Sequence, residues 1–154
     1  MEPLVASDVV AVAQCIAIDA DVFPYASAHF GLRSAASPTW VARDLGDPRV
    51  LGFLAAHVGR GVLHMDGVAV DRAARRRGIG RALVREAVAC AQDRRLRVVT
   101  LHVSVVNRAA IALYESEGFV VERRMGGFYP AAAFGGEADA FEMTLELMQS
   151  GLPR

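Results

Sequence analysis

Hydrophobic and polar positions recur with two different periods along the chain, and the changes of period predict alternating helices and strands. Apolar residues spaced three or four apart after an N-cap at Ser7 predict a first helix, and they share one face: Val9, Val12, Ala13, Ile16 and Ala20. Helical spacing returns at 27–34, 78–93 and 107–117. Alternating or continuous apolar runs predict strands at 2–5, 38–44, 50–58, 62–70, 97–105, 119–125 and 138–147. The resulting order, β-α-α-β-β-β-α-β-α-β-β, predicts a mixed α/β sheet.

Turn residues and side-chain patterns refine these boundaries. Pro24 ends the first helix within 22–27, and glycines mark turns at 46–48 and 59–61. The β-branched run 97–105 is typical of a strand covered on both faces. The stripe that the helix 78–93 buries is predicted to comprise Val84, Ala87, Val88 and Ala91.

Composition places the chain among globular proteins. Its 154 residues predict one domain over 1–148 with a frayed tail at 149–154, and hydrophobic residues make up 53% of the sequence. Seventeen basic residues balance seventeen acidic ones, which argues against a nucleic-acid partner. No apolar run is long enough to span a membrane and no basic leader is present. Cys15 and Cys90 lack metal-ligand spacing, so we expect no metal and a cytoplasmic protein with reduced thiols.

The segment 61–83 combines a strand, a basic turn and a glycine-marked helix start. An open helix N-terminus offers backbone N–H groups and partial positive charge to a phosphate or pyrophosphate. A dinucleotide fingerprint requires glycine where Leu83 stands, and the Gly-Lys-Ser/Thr sequence of a P-loop is absent. What remains is the motif Arg75-x-x-Gly78-x-Gly80, which by itself leaves open an ordinary strand–loop–helix carrying a solvated arginine cluster.

A second block, NRAAIALYESEGF, begins at Asn107 and ends at Phe119. Its spacing places Asn107, Ile111 and Tyr114 on one helical face. Together the two blocks resemble the GNAT N-acetyltransferases, which carry [Gln/Arg]-x-x-Gly-x-[Gly/Ala] followed by Asn-x-x-Ala-x-x-Leu-Tyr-x-x-x-Gly-Phe. This resemblance implies a mostly antiparallel sheet, splayed at the cofactor site and flanked by helices.

The same resemblance implies acetyl-coenzyme A (acetyl-CoA) as co-substrate. Its pantetheine arm would pair with the strand end Val68, Ala69 and Val70, and Asn107 would touch that arm. The pyrophosphate would sit on the turn and helix start formed by Arg75, Arg76, Arg77, Gly78, Ile79, Gly80 and Arg81. Tyr114 would donate a proton to the leaving thiolate.

Acetylation of an amine also needs a base, because an ammonium is not nucleophilic. Histidine is suited to proton transfer near neutral pH, and His102 in Leu101-His102-Val103 is the first candidate. Ribosomal-protein acetyltransferases usually carry glutamate there, whereas a eukaryotic N-terminal subfamily carries histidine and uses it as the base. His64 stands where that subfamily has a tyrosine, which leaves a two-histidine relay open, and Asp66 is a further candidate. His29 and His57 are expected to be surface or packing residues.

The resemblance extends to the acceptor side. Phe23, Pro24 and Tyr25 resemble a loop that lines the peptide pocket of N-terminal acetyltransferases, and Tyr129 resembles a tyrosine that hydrogen-bonds the peptide backbone. The first hypothesis is therefore transfer to a protein or peptide α-amine by direct attack in a ternary complex. Transfer to a small-molecule amine and a non-catalytic CoA-binding module are the alternatives. The sequence gives no basis for predicting the oligomeric state.

Overall fold

The structure is a computed structural model that describes residues 2–3, 9–23, 37–130 and 133–149. The predicted helix at 27–34, Pro24, Tyr25, His29 and the end of the tail lie outside these residues. The described helices are α1 (Val9–Val22), α2 (Ile79–Asp93) and α3 (Arg108–Ser116). The described strands are β1 (Glu2–Pro3), β2 (Thr39–Ala42), β3 (Gly52–Gly59), β4 (Val62–Val70), β5 (Val98–Ser104), β6 (Val120–Met125) and β7 (Ala140–Glu146).

All of these strands form one sheet, in the spatial order β1-β2-β3-β4-β5-β7-β6. Every neighbouring pair is antiparallel except the central pair, β4 and β5, which is parallel. The parallel register runs only from Val62↔Val98 to Met65↔Leu101, although both strands continue beyond it. The mixed, mostly antiparallel sheet that the resemblance implied is confirmed, and it is splayed at its centre.

Each face of the sheet has its own core. On the α2–α3 face, Leu63, Met65, Val99 and Leu101 are buried against the helices, together with Leu54, Leu83, Val84, Ala87, Ala91, Val103, Tyr114, Phe119 and Met143. On the α1 face, the buried residues are Ala11, Cys15 and Ile18 from the helix and Val41, Val50, Phe53, Ala55 and Ala69 from the sheet and its margin. None of the described helices is long and apolar enough to cross a membrane.

The face of α1 that was predicted from spacing is not the buried one. Ala13, Ile16 and Ala20 are exposed, whereas Ala11 and Cys15 are almost completely buried. The sequence VVAVAQCIAIDADV is apolar on nearly every side, so periodicity alone does not select a face. Packing against β3 and β4 makes the selection.

The turn between β3 and β4 and the buried stripe of α2 are close to the prediction. Arg60 and Gly61 both have positive φ angles, 54° and 80°, and they join β3 to β4. This is the conformation that two-residue hairpins favour. In α2, Leu83, Val84, Ala87 and Ala91 are buried, while Val88 is only partly buried.

The prediction that the β5 segment is covered on both faces is wrong. Val99, Leu101 and Val103 are buried on the α2–α3 face, but Thr100 and His102 are only half-buried on the other. β-branched residues suit a strand whether or not its second face is covered. The half-buried face instead borders the cavity described next.

Candidate active site

The divergence of β4 and β5 opens a cavity of about 750 Å³ in the middle of the sheet. Within the described chain, the part of β4 beyond Met65 pairs with β3 alone. Its other backbone edge borders the cavity. A β-bulge at Asp66 displaces the pairing, since Ala55 opposes Gly67 and Ala56 opposes Met65. Side chains from both faces of the sheet line the cavity: His64, Asp66 and His102 from one, and Asn107, Ala110 and Tyr114 from the other.

Tyr114 lies on α3 at the wall of this cavity. It is only 8% exposed, and its ring makes an edge contact with Phe119 at 5.9 Å between centroids. Burial raises the pKa of the Tyr114 phenol to about 12, because the low-dielectric surroundings disfavour the phenolate. Tyr114 therefore remains protonated at neutral pH and can donate a hydrogen bond or a proton into the cavity.

Asn107 also lines the cavity, but its side chain has a structural task as well. Its Oδ1 accepts a hydrogen bond from the Ala110 amide at 3.2 Å and caps the start of α3. This leaves the side-chain NH₂ group to contact a ligand. The predicted contact with a cofactor arm is compatible with that arrangement, because the cap uses only the oxygen.

The glycine-marked turn forms a second, smaller cavity of about 230 Å³ at the start of α2. Gly78 is the N-cap residue, with φ +74°, and it contributes no side-chain cap. The first intrahelical bond there runs from Ala82 N to Gly78 O, so the preceding amides lack helical acceptors. A Cβ at Gly80 would lie 3.5 Å from Leu113 on α3, so a large side chain there would fill the cradle. The observed geometry fits a pyrophosphate.

The four arginines of this region do not have the same surroundings. Arg75 and Arg76 line the cradle; Arg76 has a left-handed φ of 63°, and Arg75 Nε lies 3.4 Å from Val70 O. Arg81 also lines it, and its guanidinium is paired with Glu117. Arg77 is turned away from the cradle-lining residues and pairs with Asp44 between β2 and β3. We therefore expect Arg77 to order the turn rather than contact a ligand through its side chain.

A row of rings crosses the face of the sheet opposite α2 and α3. The centroids of His57 and His64 are 5.1 Å apart, those of His64 and His102 are 4.9 Å apart, and Phe128 follows His102 at 4.5 Å. His57 and His64 are cross-strand partners on β3 and β4, and His102 lies on β5. The structure thus brings together the two histidines predicted from sequence.

His64 is in the middle of the row and is largely shielded from solvent. Its Nδ1 lies 2.7 Å from Thr100 Oγ1. Burial, with a further contribution from the nearby His102, lowers the pKa of His64 to about 4. A neutral imidazole with this low basicity is a poor proton acceptor at neutral pH, which argues against His64 as the base.

His102 has a carboxylate partner that the sequence did not reveal. Its Nε2 lies 3.2 Å from Glu142 Oε2 on β7, and Arg123 on β6 binds the same carboxylate. Burial alone would raise the pKa of Glu142, but the hydrogen bonds from Arg123 and His102 outweigh it and lower that pKa. Glu142 is therefore ionised at neutral pH.

The expectation that His57 is a surface or packing residue is incomplete. His57 Nδ1 lies 2.8 Å from Asp66 Oδ1, and the histidine side chain is about half exposed. Asp66 lies two residues after His64 on β4, so strand alternation places its carboxylate on the same face as His64. Strand alternation within 50–58 could have indicated that the side chain of His57 points to the opposite face from that of Val58. It could not have indicated which residue His57 contacts.

Aromatic side chains line the cavity on the acceptor side of the site. Phe23 follows α1, and Phe128 and Tyr129 follow β6. Tyr129 contacts Phe128 and Phe134 edge-on, each at 4.9 Å, and its amide is bound to Ala138 O. Of the four predicted acceptor-side residues, the structure therefore brings Phe23 and Tyr129 to the cavity; Pro24 and Tyr25 lie outside the described residues.

Comparison with known proteins adds a family match. Residues 13–119 match the model of the acetyltransferase (GNAT) family. This range covers both glycine-marked and asparagine-marked blocks, α2, α3 and the divergence of β4 and β5.

Curated proteins with similar sequences include two acetyltransferases. The chain is 35% identical over 101 residues to [Ribosomal protein bS18]-alanine N-acetyltransferase of Salmonella typhimurium, which covers 66% of this chain and 67% of that protein. It is 37% identical over 70 residues to N-alpha-acetyltransferase 30 of Xenopus laevis, covering 46% of this chain but 25% of that protein.

A solved structure resembles nearly the whole chain. The NatC complex bound to Gag peptide and CoA includes a chain that matches with a TM-score of 0.77 and 26% identity, covering 96% of this chain and 97% of that one.

Proposed function

The chain belongs to the acetyltransferase (GNAT) family, and from this premise we propose that it transfers an acetyl group from acetyl-CoA to the N-terminal α-amine of a protein or peptide. The observation that carries the proposal is the cavity through the splayed sheet, which has Tyr114 on one side and His102 on the other. A donor and an acceptor could enter it from opposite faces and meet at its centre. Such a ternary complex allows direct attack.

Acetyl-CoA supplies an activated acetyl group, and this chain's residues would hold it on the α2–α3 side. The uncapped N-terminus of α2 offers amides and partial positive charge to the pyrophosphate. The backbone edge of Val68–Val70, which β5 does not pair with in the described chain, would offer hydrogen bonds to the pantetheine amides. The Asn107 side chain and Tyr114 border the same space.

The proton balance assigns a task to each side of the cavity. His102 takes one proton from the acceptor ammonium, so that the nitrogen lone pair can form the new C–N bond to the carbonyl carbon. The C–S bond then breaks with its electron pair on sulfur, and the Tyr114 hydroxyl protonates the thiolate. As the amide forms, the nitrogen releases a second proton, which restores the Tyr114 hydroxyl. The proton held by His102 passes to solvent, so the nitrogen loses two protons in total, the sulfur gains one and the solvent gains one.

Two further observations support a peptide as the acceptor. By their names, the relatives given above are an alanine N-acetyltransferase of ribosomal protein bS18 and an N-alpha-acetyltransferase, and one similar structure holds a peptide together with CoA. Within the described chain, the acceptor side of the cavity is bordered by the apolar surfaces of Val22, Phe23, Phe128 and Pro130, which suit the side chains of a peptide. A cytoplasmic location belongs to the same proposal, because the sequence contains only two cysteines, Cys15 and Cys90, which is typical of a protein that keeps its thiols reduced.

The experiment is an acetylation assay with acetyl-CoA and matched acceptors. Peptides beginning with Ala, Met or Ser would be compared with the same peptides blocked at the N-terminus but carrying an internal lysine, and with small amines. Mass spectrometry should locate the acetyl group on the free α-amine. In the same assay, His102→Ala should lower turnover by about 10²–10⁴-fold while acetyl-CoA still binds.

Acetylation of small amines alone would refute the peptide proposal while keeping the enzyme class. Acetyl-CoA binding without transfer to any acceptor would indicate the non-catalytic module instead. An unchanged rate in His102→Ala would show that the base has been assigned incorrectly.

A further inference from the structure

We propose that Glu142, held in place by Arg123, is a positioning residue that fixes the tautomer and orientation of His102. This inference rests on the proposed function, because it assigns support to the base named there. None of the sequence motifs contains Glu142 or Arg123; both come from the strands β7 and β6, beyond the blocks that carry the resemblance.

Three charged or polar side chains lie side by side on adjacent strands. His102 on β5 opposes Glu142 on β7, and Glu142 in turn opposes Arg123 on β6. Glu142 Oε2 lies 3.2 Å from His102 Nε2 and 3.2 Å from Arg123 Nη2, while Oε1 lies 3.2 Å from Arg123 Nε. The arginine thus binds both oxygens of the carboxylate, which restrains its rotation.

A β-bulge on β6 produces this alignment. Val121 opposes Met143 but Arg123 opposes Glu142, so Glu122 is an extra residue in the pairing. In an unbroken register Glu122 would stand directly opposite Glu142, and two like charges would repel. The bulge replaces that repulsion with an ion pair, and Glu122 is instead close to Thr144, with 3.4 Å between Glu122 Oε2 and Thr144 Oγ1. Bulges commonly re-aim side chains beside active sites.

The chemical consequence follows from the hydrogen-bonding capacity of the groups. An ionised carboxylate can only accept hydrogen bonds, so the nitrogen of His102 that faces it must carry the proton. Nε2 is therefore the N–H nitrogen in the neutral ring, and Nδ1 is left as the basic nitrogen. A carboxylate also stabilises the imidazolium that forms when Nδ1 accepts a proton. Glu142 is not one of the described residues that line the cavity.

The test combines kinetics with a measurement that does not depend on turnover. In Glu142→Gln the side-chain amide can donate as well as accept, so the tautomer of His102 is no longer dictated. We expect kcat to fall by about 10–100-fold, with the KM values for acetyl-CoA and the acceptor unchanged. The ¹⁵N NMR signals of the His102 ring should show the Nε2–H tautomer in the wild type and a mixture in the variant. Glu122→Gln is the matched control, one strand away, and should change neither reading.

The outcomes separate this inference from the proposed function. A wild-type His102 in the Nδ1–H tautomer, or a fall in kcat without any change of tautomer in Glu142→Gln, would overturn the positioning role. The expected tautomers in a protein that acetylates no amine would support the positioning role and refute the proposed function. If Glu142→Gln does not fold, Arg123→Gln can be used instead, because it leaves the carboxylate in place but removes one of its partners. A loss of kcat in Arg123→Gln that is smaller than the one expected for Glu142→Gln would support the inference. An unchanged kcat in Arg123→Gln would overturn it.

Discussion

The two sides of the cavity are assembled in different ways. On the α2–α3 side, the cradle and the tyrosine come from two continuous segments of sequence, although Arg77 and Arg81 of the cradle pair with the distant residues Asp44 and Glu117. On the opposite side, single residues from different strands form one row. His64 meets Thr100 at a separation of 36 residues, and His102 meets Glu142 at a separation of 40. The comparison indicates that the residues of the donor side can be found in two continuous segments of sequence, whereas the acceptor and proton-transfer side depends on strand register.

The largest effect should come from filling the cradle at the start of α2. In Gly80→Trp, the indole would occupy the space between α2 and Leu113 and block the helix N-terminus, so acetyl-CoA binding should fall below detection by calorimetry. Gly59→Trp is the control, because a Cβ at Gly59 has no neighbour within 4 Å among the described residues. Normal binding in Gly80→Trp would show that the cradle lies elsewhere.

The next test removes the proposed acid, Tyr114, and distinguishes the binding of acetyl-CoA from the transfer of its acetyl group. Tyr114→Phe deletes one hydroxyl from a buried ring that keeps its contact with Phe119. We expect kcat to fall by about 10²–10⁴-fold and the Kd of acetyl-CoA to stay the same, as measured by turnover and calorimetry. A change in Kd with an unaltered kcat would assign Tyr114 to binding.

A smaller effect is expected on the acceptor side of the row. Phe128 is 41% exposed and its ring contacts that of His102. Because aromatic contacts contribute about 0.5–1.5 kcal/mol, Phe128→Ala should raise the KM for a peptide acceptor by roughly 2- to 10-fold. The Kd of acetyl-CoA should not change. Leu45→Ala is the control, because Leu45 is fully exposed and is not one of the residues lining the cavity. An equal rise in KM in Leu45→Ala would show that the effect of Phe128→Ala is not specific to the acceptor side.

The smallest effect concerns stability rather than turnover. Folding lowers the pKa of His64 from 6.5 to about 4, so between these values the unfolded chain binds a proton that the folded chain does not. Stability must then decrease as the pH falls through this window. Between pH 6.5 and 4, the melting temperature of His64→Gln should fall less than that of the wild type. The melting temperature of His57→Gln should fall as much as that of the wild type. Parallel curves for wild type and His64→Gln would contradict the assignment of a buried neutral His64.

Several features of the fold could be predicted from local sequence. The hairpin at Arg60 and Gly61 requires positive φ angles, and α2 begins at a glycine, so both can be recognised without knowing the rest of the chain. The buried face of α1 could not be chosen, because the helix is apolar on almost all sides. The half-buried state of Thr100 and His102 was missed, since β-branched residues alone do not reveal what covers a strand.

The sequence by itself determined the family, the cradle at the start of α2 and the candidacy of Tyr114, His102 and His64, because these depend on residue type and on spacing within single elements. Only the tertiary structure decided that His102, of the two candidate bases His64 and His102, hydrogen-bonds a carboxylate. That choice depends on the pairing of β5, β7 and β6 and on one extra residue at Glu122. Strand register is a long-range property, and a shift by one residue would have turned every side chain of β6 to the opposite face.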